Sequence, residues 1–360
     1  MLRSGQNVQP NIIGWDVGGA HVKVAIANKQ IISQVQQLVC PLWKGVNELS
    51  DCIDVVQKNA NFEQYVHAIT MTGELVDHFV DREQGVLSII AEMSNKLGAS
   101  KVQYYAGTDG FVGADQATAE YCKIASANWL ASAHYAAANI ENALFIDIGS
   151  TTTDIVEVRD HKVAYAGYTD EQRLIARELV YCGVVRTPIF AISKSALVKE
   201  KQIPVINEYF ANTADVYRLT GELSAYADLS DTLDGRAKDV SSSAARLARM
   251  FANDAKKEEL EVWRKVAKQI RAAQVQIIKD ACRHQFMKKS VSLATPIVGA
   301  GVGRFLVRDL AQQLGREYID FEEYFDLTAL NCEFGVGDCA PAASVACLAY
   351  ASPAFIGDDG

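Results

Sequence analysis

Two short stretches of the chain carry an aspartate, a glycine and a row of small polar or basic residues at matching offsets. In LFIDIGSTTTDIVEV (144–158) these are Asp147, Gly149, Ser150, Thr151, Thr152 and Thr153; in IIGWDVGGAHVKVAI (12–26) they are Asp16, Gly18, Gly19, His21 and Lys23. A glycine without Cβ lets the backbone approach a ligand, and hydroxyls, exposed amides and a lysine suit phosphate oxygens. An aspartate just before such a turn is a ligand for hydrated Mg²⁺, which favours carboxylate, water and phosphate oxygens. One copy alone reads equally well as a hairpin with a polar turn. Two copies at one spacing predict duplicated domains that share a cleft.

The elements needed to hold these residues are legible in the pattern. Leu144 to Ile148 and Ile155 to Val158 are apolar, β-rich strands around a turn, and Ile12 to Ile26 repeats the arrangement. Ile31 to Leu38 alternates as a third strand, Val46 to Lys58 has helical spacing, and Val66 to Met71 is a strand that runs into Thr72, Gly73 and Glu74. Strand ends of this kind are where ligands gather in open α/β sheets. Glu74 is therefore a candidate, although the acids that follow it, Asp77 and Asp81, also suit a helix start. Gly85 to Leu97 reads as a helix, Val102 to Ala106 as a strand, Gly107 to Gly113 as a loop carrying Asp109, and Ala114 to Ile140 as helical on either side of Ser126.

The second half begins in the same way and then departs into a long excursion before the sheet resumes near Ser292. Within it, CGVVRTP places Gly183, Arg186 and Thr187 in a turn that could bind an anion through the guanidinium fork, or in which Arg186 pairs with a neighbouring acid. Val240 to Phe286 is strongly helical, with apolar stripes that suit a core or a subunit contact, so a homo-oligomer is left open. TPIVGAGVGRFLVRDLAQQL (295–314) sets Gly299, Gly301 and Gly303 between a strand and a helix. A dinucleotide fingerprint would need an acidic ribose partner on a following parallel strand, and the pattern reads as lacking one, an expectation against such a site. Tyr318 to Phe321 is a further strand, and Pro341 to Ala351 a final alanine-rich helix.

The composition sets outer limits. The chain has 360 residues, 49% hydrophobic and 22% charged, which is enough for two cores. A net charge of −9 with scattered Lys and Arg argues against nucleic acid as a partner. The first ten residues are polar and no apolar run approaches a membrane span, so a cytoplasmic location without membrane attachment is expected. The eight cysteines form no Cys-x-x-Cys pair, and most are expected to be buried thiols.

The two hairpins and the late glycine turn resemble the phosphate loops and the ligand-binding glycine segment of the superfamily that holds sugar kinases, heat-shock ATPases and actin. That resemblance implies an α/β fold of two duplicated ribonuclease-H-like lobes: 10–140, then 141–340 with a mainly helical insertion at about 170–290, then a C-terminal helix and tail (341–360) packing back toward the first lobe. The combination GWDVGGAHVKVA, TGEL, DIGSTTTDI, GVVRTP and ADVYRLTGEL looks narrower still. It is similar to the hydantoinase/oxoprolinase-related family linked to tetrahydromethanopterin-dependent one-carbon transfer, from Ile12 to about Leu348.

The resemblance implies a diphosphate-displacing, ether-forming transferase of methanofuran or, in methylotrophs, methylofuran synthesis. Its substrates would be small molecules: an (aminomethyl)furanylmethyl diphosphate and the phenol oxygen of tyramine or a γ-glutamyltyramine. On that reading Asp16 and Asp147 hold Mg²⁺. Gly18, Gly19, His21 and Lys23, with Gly149, Ser150, Thr151, Thr152 and Thr153, cradle the diphosphate, and Arg186, Thr187, Gly299 and Gly301 contact other parts of the ligand. A phenol ionises near pH 10, so a base must assist it, with Glu74, Asp109 and Asp154 as candidates. Three alternatives stand beside this one: an ATP-dependent kinase of the same fold with an adenine pocket beside Gly299 to Gly303, an ATP-dependent amide-ring hydrolase, and a nucleotide-gated sensor that turns nothing over.

Overall fold

The computed structural model describes residues 10–287, 292, 294–332 and 334–355, so the N-terminal nine residues and the last five of the tail lie outside the described residues. Two compact units emerge: one runs to Asn139 and takes up the chain again from Glu322, and the other is Ile140–Phe321.

In the first unit β1 (Asn11–Val17), β2 (His21–Asn28), β3 (Ile31–Val39), β4 (Tyr65–Met71), β5 (Val102–Tyr105) and β6 (Phe111–Val112) form one sheet in the order β3-β2-β1-β4-β5-β6. β1 pairs antiparallel with β2 and parallel with β4, and β4 is parallel to β5. The helices are α1 (Asn47–Asn59), α2 (Arg82–Leu97), α3 (Ala114–Ala119), α4 (Tyr121–Ile124), α5 (Asn128–Asn139) and, from the C-terminus, α12 (Ala340–Ala349). β1 and β4 are central strands covered on both faces, which is why they read as near-continuous apolar runs. Ile13, Trp15, Val17 and Ile69 join Leu49 and Ile53 of α1 and Val86 and Ile89 of α2 in one core. On the other side α12 lies so close to β1 that a Cβ on Gly14 would collide with the carbonyl oxygen of Ala342. Asp81 caps α2, its Oδ1 accepting from the amide of Gln84 at 2.8 Å, so that acid belongs to the helix start.

In the second unit β7 (Ala143–Ile148), β8 (Thr153–Arg159), β9 (Lys162–Ala164), β10 (Leu179–Val180), β13 (Ile297–Ala300) and β14 (Tyr318–Asp320) repeat that plan in the order β10-β8-β7-β13-β14, with β9 also on β8. β7 is antiparallel to β8 and parallel to β13, as β1 is to β2 and β4. The fold is thus an α/β duplication of two ribonuclease-H-like units. The excursion contains α6 (Asp170–Ile175), α7 (Ile189–Ile192), α8 (Thr213–Thr220), α9 (Val240–Arg249) and α10 (Leu260–Phe286) around a second core that includes Val216, Leu247, Phe251, Trp263 and Ile270. α11 (Arg304–Gln313) follows β13, and β14, parallel to β13, ends at Asp320, so contrary to the sequence reading an acid does stand on the next parallel strand, where it meets Arg304 and Arg308 at 3.5 Å.

Three further details differ from the sequence reading. The excursion also holds a hairpin of β11 (Ser195–Val198) and β12 (Lys201–Pro204). The helical run 240–286 is interrupted between α9 and α10. The chain rejoins the first unit at Glu322 rather than at residue 341, because the segment before α12 already docks there: Ile32 donates its amide to Asp326, Asn331 to Ser33, and Tyr135 stacks on Phe325. Of the eight cysteines, all free thiols, Cys122 is exposed, Cys332 is partly buried and the others are buried. Among the described residues, no helix is long and apolar enough to cross a membrane.

Candidate functional site

The first turn is built where β1 ends. Asp16 and Lys23 stand directly opposite each other on β1 and β2, which places their side chains on one face of the sheet. The intervening turn closes with the Gly18 amide donating to the His21 carbonyl at 3.0 Å. Flanking segments leave it no room for larger residues: a Cβ on Gly19 would lie 2.6 Å from Val76 Cγ1, and one on Gly73 3.1 Å from the Val17 carbonyl oxygen. Leu42 donates its amide to Gly19 and Thr72 donates to Val17, so two short helical turns, Leu42–Lys44 and Gly73–Leu75, clasp the loop.

Buried polar groups collect around this turn. Asp16, His21 and Glu74 are 6%, 7% and 1% exposed. Glu74 Oε1 accepts from the Ser126 hydroxyl at 2.6 Å, and Asp16 Oδ1 accepts from the Asn128 amide at 3.4 Å. Lys23 Nζ donates to the backbone carbonyl of buried Asp338 at 2.7 Å. Asp16, Lys23 and Asp338 all lie within electrostatic reach of Cys339, whose thiol is pushed up chiefly by burial. Asp109 stands apart from this group. It is exposed beside Lys123, 2.5 Å away, and that hydrogen bond holds its carboxyl below the usual range.

The second turn has the same frame and a different filling. Asp147 and Asp154 are opposed on β7 and β8, and the Gly149 amide donates to the Thr152 carbonyl at 2.9 Å. Asp154 is tied to Arg173 Nη2 at 2.8 Å, and Arg173 is itself only 1% exposed. Burial pushes the Asp154 carboxyl up while the guanidinium beside it pulls the other way. The Thr153 hydroxyl is turned inward, donating to the Cys182 carbonyl at 2.6 Å.

The 182–187 segment lies directly on this turn. Val184 donates to Gly149, and Val185 and Arg186 both donate to Ser150. A Cβ on Gly183 would sit 2.5 Å from Ser150 C and Thr151 N. Exposed Arg186 is thereby fixed beside Ser150 through its backbone, whereas the Thr187 hydroxyl is occupied with the Gly183 amide and carbonyl.

The glycines of the late turn have internal reasons as well. Gly301 takes φ +82°, and a Cβ there would strike Asp147 Oδ1; one on Gly303 would lie 2.5 Å from Ile148 Cγ2, and one on Gly299 2.6 Å from the Tyr318 ring. The residues that could meet a cation are the carboxylates at these glycine-walled turns, Asp16 at the first and Asp147 with Asp154 opposite it at the second. Among the described residues no group of three or more His, Cys, Asp or Glu gathers to cage a metal. That donor set fits Mg²⁺, which takes one or two carboxylates and fills its octahedron with water and phosphate oxygens.

Ser126, Asn128, Asp338 and Arg173 were not among the site candidates read from the sequence. Only the helix break at Ser126 hinted at any of them.

The hydantoinase/oxoprolinase family model matches residues 66–332. The chain is 32% identical over 244 residues to the (4-{4-[2-(gamma-L-glutamylamino)ethyl]phenoxymethyl}furan-2-yl)methanamine synthase of Methanocaldococcus jannaschii, covering 68% of this chain and 72% of that one. It is 35% identical over 123 residues to the synthase of the same name from Methanococcus vannielii, 34% of this chain and 55% of the relative, so the match spans about half of that protein. Acetone carboxylase, solved in a nucleotide-free state, overlays with a TM-score of 0.61 over 95% of this chain and 70% of its own at 9% identity, a likeness of fold alone. With two Asp-x-Gly turns on a duplicated sheet and a match over most of its length, the chain belongs to the hydantoinase/oxoprolinase family.

Proposed function

We propose that the protein is an ether-forming transferase. It couples an (aminomethyl)furanylmethyl diphosphate to the phenol oxygen of tyramine or γ-glutamyltyramine and releases pyrophosphate. The observation that carries the reading is the repetition of one device at one topological position: a buried aspartate ending the first strand of each sheet, followed by a glycine turn. The synthase names of the two relatives support the choice of substrates.

In the reaction the furanylmethyl carbon–oxygen bond breaks with its electron pair leaving on pyrophosphate, a bond forms to the phenol oxygen, and the phenol proton passes to a base. Charge grows on the departing diphosphate, so fixed donors aimed at it lower the barrier most. In the first unit Lys23 and the Gly19 amide are the donors of this proposal, and in the second the Ser150, Thr151 and Thr152 amides with Arg186; the Gly18 and Gly149 amides close their own turns. Asp16 and Asp147 would hold Mg²⁺, which when bound neutralises diphosphate charge. Among the three candidate bases, Asp109 is exposed beside Lys123 and Asp154 is held by Arg173, whereas Glu74 is buried in the short helical turn that clasps the first Asp-x-Gly loop and accepts from the Ser126 hydroxyl. Glu74 is the proton acceptor in this proposal. The side chain of Tyr318 against Gly299 and the Asp147 turn against Gly301 give those glycines a packing role, which favours this reading over an adenine site.

The test incubates purified protein and Mg²⁺ with the furan diphosphate and tyramine or γ-glutamyltyramine, without nucleotide. Ether product and pyrophosphate in equal amounts are expected. ATP consumption with a sugar or hydroxy acid, and no ether, would replace this proposal with the kinase.

A further inference from the structure

The corner between α4 and α5 stands out in the first unit. Ser126 occupies the left-handed region at φ +51°, unusual for a residue with a Cβ, yet it is buried and not glycine. Such outliers persist when the surrounding structure enforces them, and they concentrate where geometry serves a function. What the conformation achieves here is specific. It aims the Ser126 hydroxyl at Glu74 Oε1, 2.6 Å away, and two residues later Asn128 presents its amide to Asp16 Oδ1 at 3.4 Å. Asn128 cannot turn its amide round without loss, because its Oδ1 already accepts the Trp129 backbone amide at 2.7 Å. Glu74 is also pinned from the opposite side: a Cβ on Gly85 of α2 would lie 2.9 Å from Glu74 Cβ.

From this we infer that Ser126 and Asn128 are positioning residues, a single strained corner that sets the orientation of Glu74 as proton acceptor and of Asp16 at the diphosphate turn. The inference rests on the reaction proposed above. Neither side chain need touch substrate. One rigid element ties the two carboxylates, which come from the ends of adjacent strands β1 and β4, to a common reference.

Ser126→Gly is the sharpest variant, because glycine accepts φ +51° without strain and only the hydroxyl is lost. With wild-type and variant proteins, the ether assay should show kcat lower by about 10-fold or more, the loss expected for a hydrogen bond to a charged group. KM should stay within about twofold, and the melting temperature within about 3 °C. A kcat kept within about threefold of wild type, or an activity loss that tracks loss of folded protein, overturns the inference.

A second measurement needs no turnover. By calorimetry with Mg²⁺ and inorganic pyrophosphate, Asn128→Asp, which keeps the acceptor for Trp129 but opposes Asp16 with like charge, should bind about tenfold more weakly. Ser126→Gly should bind as wild type does. Unchanged binding in Asn128→Asp overturns the inference. A wild-type protein that binds pyrophosphate but makes no ether counts against the proposed reaction and leaves the corner's hold on Asp16 to be judged by the calorimetry.

Discussion

Lys23 and Asp154 hold the same place in the two hairpins and carry opposite charges: each faces the aspartate of its own turn across an antiparallel pair. The first hairpin therefore offers a cation next to its acid, whereas the second sets two acids together and balances one of them with buried Arg173. Asp154→Asn should accordingly act through stability as well as chemistry. Removing one partner of a buried pair costs about 3 kcal/mol, so urea denaturation should show a loss of that order; an unchanged midpoint would contradict the structural part of its role. His67 gives a pH-dependent counterpart. It is fully buried in the first unit, accepts the Trp15 indole N–H at 3.1 Å, and burial pulls its pKa down to about 3. The unfolded chain binds that proton near pH 6.5 and the folded one does not, so stability falls as the pH drops below 6.5 and continues to fall toward 3. Between pH 7 and pH 5 the loss from this residue should be about 2 kcal/mol. Urea titrations at the two pH values should show the pH slope reduced by that amount in His67→Leu, whatever its baseline, and an unaltered slope would refute the assignment.

At the scale of elements, the hairpins were readable because each repeats apolar strand, glycine turn and apolar strand within fifteen residues. The central strands β1 and β4 were readable because burial on both faces leaves near-continuous apolar runs. The β11–β12 hairpin was not, since SALV and KQIP are short, half-exposed and flanked by no glycine turn; Lys199 and Glu200 take positive φ in its place. Site residues separated in sequence were hidden for a different reason. The Ser126–Glu74 and Asn128–Asp16 bonds span 52 and 112 residues, and no local periodicity encodes a partner at that distance. β1 and α12 pack closely, Gly14 and the small residues Ala342 and Ala346 letting the helix backbone approach the strand that carries Asp16. Gly14→Val should cost about 1–3 kcal/mol through overpacking and reduce activity by moving β1. A variant with wild-type stability would show that the contact is looser than it looks.

At the scale of the whole molecule, duplication is the organising fact. Two sheets that share a central arrangement, an antiparallel hairpin whose first strand pairs parallel with the next, each place an aspartate and a glycine turn at the end of that first strand, and the sequence disclosed this because a twofold repeat of motif needs no tertiary information. The point at which the chain re-enters the first unit was less legible. The acidic, weakly patterned stretch after Glu322 docks through backbone hydrogen bonds, the side chains of Lys23 and Tyr135 donating to its carbonyls, and the stack of Phe325 on Tyr135, not through a periodic apolar stripe. The proposed reaction requires each Asp-x-Gly turn to be a diphosphate-binding element. Calorimetric titration of Mg²⁺ and pyrophosphate into wild type, Asp16→Asn and Asp147→Asn tests that claim most directly. Binding should weaken by about tenfold or more in each variant while both remain folded, the loss expected when a carboxylate holding the cation is removed; affinities equal to wild type in both would contradict it.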